Sequence, residues 1–130
     1  MKRVIGLGGI FFKARDPKAL YDWYRTHLGI ESSPEAGAMW EGNDPENPVF
    51  NLVSIFPANT QYLGSGPSNF MINFRVDNLT ELVKALREEG VQVDDKVEEH
   101  EYGKFGWITD PEGNRVELWE PPKTTAASQT

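Results

Sequence analysis

The chain has 130 residues, 38% hydrophobic and 25% charged, which is the composition of a globular fold with a real core and excludes a disordered one. Its 13 basic and 20 acidic residues leave a net charge of −7, against sequence-independent nucleic-acid binding and attraction to anionic membranes, both of which rest on basic residues. With no cysteine there are no disulfides, thiolate nucleophiles or zinc-finger ligand sets, so the expected partner is a small molecule or a protein.

The opening MKRVIGLGGIFF has the basic start and apolar run of a signal peptide. KARDP follows it where a small-residue cleavage site would stand, so the segment is read as a first β-strand. No apolar run is long enough to span a bilayer, and a cytoplasmic location is expected. GIFFKARDPKALYDWYRTHLG then continues from strand to helix, with Asp16 as N-cap, Pro17 in the first turn and Gly29 as the stop. Leu20, Tyr24 and Leu28, with Tyr21 and Trp23 beside them, form its expected apolar stripe.

MINFRVDNLTELVKALREEG repeats the pattern, with Asn78 as N-cap, Glu81 completing a capping box, Gly90 as stop, and Leu79, Leu82, Val83 and Leu86 as the stripe. The two N-caps differ by 62 (78 − 16), and at that offset Ile10 meets Ile72, Phe12 meets Phe74, Lys13 meets Arg75, and Leu20 meets Leu82. A second echo joins NDPENPVFNL to TDPEGNRVEL, an Asp-Pro-Glu turn leading into a strand. Past a one-residue difference in the turn it pairs Asn51 with Glu117, an offset of 66 (117 − 51). The chain is therefore read as two βαβββ units, about 4–57 and 68–121, with a linker near 58–67 and a polar tail at 122–130.

Period-two alternation places Phe70, Ile72, Phe74 and Val76 on one face of a strand and Met71, Asn73 and Arg75 on the other. It likewise separates Ile10, Phe12 and Ala14 from Gly9, Phe11, Lys13 and Arg15, and Val116 and Leu118 from Arg115, Glu117 and Trp119. The first set of each strand is assigned to the helices. The other face holds Phe11, Trp119 and, with them, Trp40 and Trp107, large apolar groups that point to a concave site rather than plain surface.

These features resemble the vicinal oxygen chelate superfamily, which includes glyoxalase I, extradiol dioxygenases, and bleomycin- and fosfomycin-resistance proteins. The marks are the tandem βαβββ units, the strand ending in Asp before a helix that closes with LG, and the DPEGNRVEL ending, covering about 4–121. The resemblance implies an α+β fold whose mostly antiparallel sheet curls into a cup with helices outside, usually completed within a homodimer. It also implies a divalent metal in catalytic members, held at positions that match Gly9, Asn51, Met71 and Glu117 here.

That donor set is poor. Glycine has no side chain, Asn51 offers a neutral amide, Met71 a soft thioether, and only Glu117 is a strong ligand, so loss of the metal is expected. His27 falls in the last turn of the first helix and His100 in a polar loop or edge strand, and both are read as solvated rather than ligating.

Beside Trp119, Phe11 and Met71, Glu117 is open to two readings. One is a general acid or base with a pKa raised by lost hydration; the other is a polar contact satisfied by Asn51, Asn73 or an arginine. Lys13 and Arg75 are expected at a rim, as ligand-binding candidates that meet an anionic ligand or as cations that are simply solvated. Phe11, Trp40, Trp107 and Trp119 suit stacking on a planar or amphipathic ligand, with packing in the core or at a subunit interface as the alternative for each.

Three functions follow as expectations. The first is metal-free binding of a small organic molecule, oriented by Glu117, Asn51 and Asn73. The second is a metal-dependent isomerase or lyase of glyoxalase I or epimerase type with Glu117 as base. The third is an interaction module closed by its partner subunit.

Overall fold

Two helices and eight strands account for the regular structure of the computed structural model, which describes residues 2–33, 37–42, 49–64 and 68–122. The turn at Asp44, Pro45 and Glu46, linker positions 65–67 and tail positions 123–130 lie outside the described residues. By contact density the chain divides into Gly8–Ile72 and a second unit made of Met1–Leu7 with Asn73–Thr130. These are not the repeat boundaries read from the sequence. Strands β1 (Val4–Ala14) and β4 (Phe70–Val76) each contribute residues to both units.

In Gly8–Ile72, β1 runs parallel to β3 (Phe50–Pro57), and β2 (Ala38–Glu41) lies antiparallel on the other edge of β3. Lys13 N–H donates to the Asn69 carbonyl at 3.0 Å, which joins the end of β1 to the entry of β4. Helix α1 (Pro17–Leu28) starts as the sequence dictates, with Asp16 accepting from Ala19 N–H at 3.1 Å, and it stops at Gly29, whose φ is 69°. The α1 stripe is narrower than expected: only Tyr21 is buried, its hydroxyl accepting the Ile55 N–H at 2.8 Å, whereas Trp23 and Leu28 are exposed.

In the other unit the strand order is β1, β4, β8 (Arg115–Glu120), β7 (Gly103–Thr109), β5 (Gln92–Val93), with β6 (Glu98–His100) also on β7. Helix α2 (Leu79–Glu88) is capped by Asn78, which accepts from Glu81 N–H at 3.1 Å. A carboxylate serves the same helix end, since Glu120 of β8 accepts from Leu79 N–H at 2.8 Å.

Leu79, Leu82 and Val83 close on Val76 and Leu118, with Phe74, Leu86, Val93, Ile108 and Val116 around them. These include Phe74, Val76, Val116 and Leu118 of the helix-facing set read from the alternation of β4 and β8, whereas Phe70, at the start of β4, is exposed. The result is an α+β fold of mixed, mostly antiparallel strands. Among the described residues, no helix is long and apolar enough to cross a membrane.

The DPEGN stretch shows why β8 leaves its turn where it does. Asp110 accepts from the backbone N–H groups of Glu112 and Asn114 and from the Asn114 amide, all within 3.0 Å, and Gly113 takes φ 87°. The Asn114 side chain, with the backbone donors, holds the Asp110 carboxyl below the usual range. A lowered folded-state value means this support is present at neutral pH and is lost as pH falls through that value.

Two substitutions test the α2 packing. Asn78→Ala should cost about 1 kcal/mol, and Leu79→Ala, at a fully buried site, about 2–5 kcal/mol. Both are read as shifts of the urea midpoint at unchanged slope.

Candidate functional site

Glu117 is 1% exposed, a carboxylate in the interior of the unit that contains β8. Two strands supply its partners. Antiparallel pairing sets Trp107 of β7 directly across from it, and the indole Nε1–H donates to Oε2 at 2.9 Å. From β4, the Asn73 amide donates through Nδ2 to Oε1 at 2.6 Å. Asn73 and Trp107 are buried with the carboxylate.

Each carboxylate oxygen thus accepts an N–H. An ionised carboxylate accepts only, so Asn73 must turn its NH2 toward it. Its other end, Oδ1, is then a buried acceptor with no donor among the described residues. Of the two sequence readings, the satisfied polar contact describes the Asn73 side of Glu117. Trp107, read from the sequence as an aromatic of the same face, is its second donor, set across from it by the β7–β8 register.

Trp119 follows on the same face of β8. Its indole N–H donates to the Tyr102 carbonyl at 2.8 Å and its ring stacks on Phe105 at 6.1 Å and 6°. Gly103, at φ 129°, makes this possible, because a β-carbon there would strike Trp119 Nε1 and the Glu120 carbonyl. His100 stacks on Tyr102 at 5.1 Å and pairs with Glu98 at 3.0 Å, on the hairpin rather than beside Glu117. His100 and then Lys96 hold the Glu98 carboxyl below its usual range. Arg115 lies over the Trp107 ring at 5.3 Å and bonds Asp94 at 2.8 Å.

Arg75 departs from expectation. It is 7% exposed, not a solvated rim cation: Nε donates to the Leu7 carbonyl at 3.4 Å, and Nη2 stands where a β-carbon on Gly6 would be. The sequence signal was the first glycine of GLGG, a close approach with no turn to explain it.

The remaining sequence-derived residues belong to Gly8–Ile72. Phe11 is buried against Phe56 and Tyr62, with ring centroids 5.6 and 6.4 Å away. Lys13 lines an open groove of about 850 Å³ with Arg15, Asp16, Leu20, Trp23 and Tyr24. Trp40 is 47% exposed on β2 and pairs across with Asn51.

The register of β3 corrects one assignment. Gly9 pairs with Leu52 and Phe11 with Ser54, so Leu52, Ser54 and Phe56 share the Gly9 face. Asn51 alternates to the other face. The repeat alignment crosses a one-residue difference just before this strand, and a slip of one residue reverses every side chain.

The four positions that the resemblance assigns to a metal can be judged by their own chemistry. A β-carbon on Gly9 would run into the Leu52 carbonyl, so no side chain fits there. Asn51 donates its Nδ2 to the Phe50 carbonyl at 3.1 Å, Met71 is fully buried as a thioether, and Glu117 has both oxygens engaged. Among the described residues no three of His, Cys, Asp and Glu cluster. The residues present do not fit a divalent cation.

Glu117→Ala should destabilise by about 1–3 kcal/mol for each donor it leaves unpaired. Glu117→Gln, which keeps one acceptor, should cost less. Urea unfolding measures both, and an Ala variant within about 0.5 kcal/mol of wild type would show that the two hydrogen bonds carry no weight.

Solved structures share this architecture at low identity. Methylmalonyl-CoA epimerase from Streptomyces coelicolor, as a variant in complex with 2-nitronate-propionyl-CoA, aligns with a TM-score of 0.67 at 17% identity, covering 91% of this chain and 98% of that one. The methylmalonyl-CoA epimerase from Mycobacterium tuberculosis aligns with a TM-score of 0.59 at 20% identity, covering 96% and 93%. A protein described as an NAD-dependent benzaldehyde dehydrogenase from Legionella pneumophila aligns with a TM-score of 0.57 at 15% identity, covering 88% and 98%. No curated protein matches the sequence. The family described as the glyoxalase-like domain matches residues 9–119, so the chain belongs to that family, within the vicinal oxygen chelate superfamily.

Proposed function

We propose that this protein binds a small organic molecule without the divalent metal used by catalytic members of the superfamily, and that Asn73 and Glu117 orient the ligand. The observation that carries this is the Asn73 carbonyl oxygen, an acceptor buried beside Glu117 with no donor among the described residues. Leaving such a group unsatisfied costs about 1–3 kcal/mol, which a ligand hydroxyl or N–H would recover. Glu117 keeps the amide turned so that an acceptor, not a donor, is presented. The poor donor set at the family's metal positions supports the metal-free part of the reading.

Proton transfer next to a carbonyl with Glu117 as base is the second reading. It is favoured by the epimerases among the structural neighbours, whose likeness at this identity extends to the fold. Without a metal, stabilising an enolate would fall to hydrogen-bond donors, and the Asn73 and Trp107 N–H groups are already on Glu117.

Native mass spectrometry of freshly purified protein is expected to show a retained organic molecule that Asn73→Ala loses. Elemental analysis after exposure to nickel, zinc and manganese is expected to show far less than one ion per chain. Stoichiometric metal would overturn the metal-free reading. Deuterium uptake at the α-carbon of methylmalonyl-CoA in D2O, abolished by Glu117→Gln, would replace it with the second reading.

A further inference from the structure

Asn73 is one of two buried groups on the same face of β4 that lack what they need. Arg75, two residues on, carries a guanidinium with five N–H donors, of which one is used, by the Leu7 carbonyl. Among the described residues no carboxylate pairs with it. Buried cations are ordinarily paired, because an uncompensated one forfeits its hydration with nothing in return. Here the guanidinium is also held in place, with Nε on Leu7 and Nη2 over the bare Cα of Gly6.

We propose that Arg75 and Asn73 form the recognition site for a short organic acid that carries a hydroxyl or N–H group, its carboxylate on Arg75 and its donor on Asn73 Oδ1. The proposal rests on the small-molecule reading above and names the class of ligand. Residues two apart on a strand are separated by roughly 6.6 Å, the span of a molecule of a few carbons. A guanidinium presents paired N–H groups that match a carboxylate. The Asn73 oxygen, fixed as an acceptor by Glu117, rejects a second carboxylate and takes a donor.

The test uses lactate, 3-hydroxybutyrate and 4-hydroxybutyrate as acids with a donor, butyrate as an acid without one, and 1,3-butanediol as a donor without an acid. Binding is followed by calorimetry and by the Trp107 indole and Arg75 Nε–H signals in 1H–15N spectra. At least one hydroxy acid should saturate and move both signals, with butyrate and butanediol weaker by about tenfold or more. Arg75→Met should lose the acid by a similar factor while raising the melting temperature of the ligand-free protein, since it removes an unpaired buried charge.

Gly6→Ala is the second variant. It displaces only the flexible end of Arg75, so it should fold and still weaken the acid. Equal binding of the acids to wild type and Arg75→Met, or a melting temperature lowered by Arg75→Met, would assign Arg75 to structure and overturn the proposal. Binding of butanediol but not of the acids would overturn it while leaving the small-molecule reading intact. If no compound moves the Trp107 signal the acid site is refuted, and only an empty native mass spectrum would carry the small-molecule reading down with it.

Discussion

The hydrogen bonds from Asn73 and Trp107 to Glu117 are the constraint from which the chemistry of this interior follows. Burying a carboxylate costs several kcal/mol, and two hydrogen bonds to a charged group return about 1.5–3 kcal/mol each, so the arrangement is close to neutral for stability. A leucine in the same space would do as well or better for folding. What the carboxylate provides is orientation. It fixes the rotation of the Asn73 amide, ties β8 to β7 through Trp107, and thereby determines that the polar atom left over is an acceptor. A proton on Glu117 would remove that discrimination, because a carboxylic acid can donate and the amide is then free to reverse.

Glycines set the other half of the geometry. Gly6 leaves room for the Arg75 guanidinium, and Gly9 lets the β1 backbone approach the Leu52 carbonyl more closely than any side chain permits. The second contact bears directly on the metal. At the position where the resemblance implies a ligand, the missing side chain is not a simple deletion in an otherwise unchanged site, since the backbone of β3 occupies the space. Restoring a histidine or glutamate at Gly9 would require moving that strand, not only changing one residue.

The elements whose signals are local were legible in the sequence. Asn78, the α2 stripe and the alternation of β4 and β8 appear where periodicity and capping put them, because each depends on residues within a few positions of one another. The failures are non-local. Trp23 and Leu28 belong to the α1 stripe by spacing, yet they are exposed, because spacing does not say how much sheet a helix meets. Asn51 was aligned across a turn of unequal length, where an error of one residue reverses the face. Arg75 was assigned to a rim because arginine usually is solvated, and its burial depends on a glycine nearly 70 residues earlier (75 − 6 = 69).

The charges that remain inside explain why a shared architecture need not carry a shared reaction. Epimerase structures overlay this chain at 17–20% identity, a level at which the path of the backbone is retained and the interior is free to diverge. A bound divalent ion would set the polarity of such an interior by its own charge. Among the described residues the buried ionisable groups of this interior are a carboxyl, Glu117, whose two oxygens accept N–H groups, and a guanidinium, Arg75, with N–H groups to spare. The cation is therefore the group with unspent capacity. In the proposed site a ligand that completes it would bring negative charge, and the acceptor two residues away would select among anions by asking for a donor.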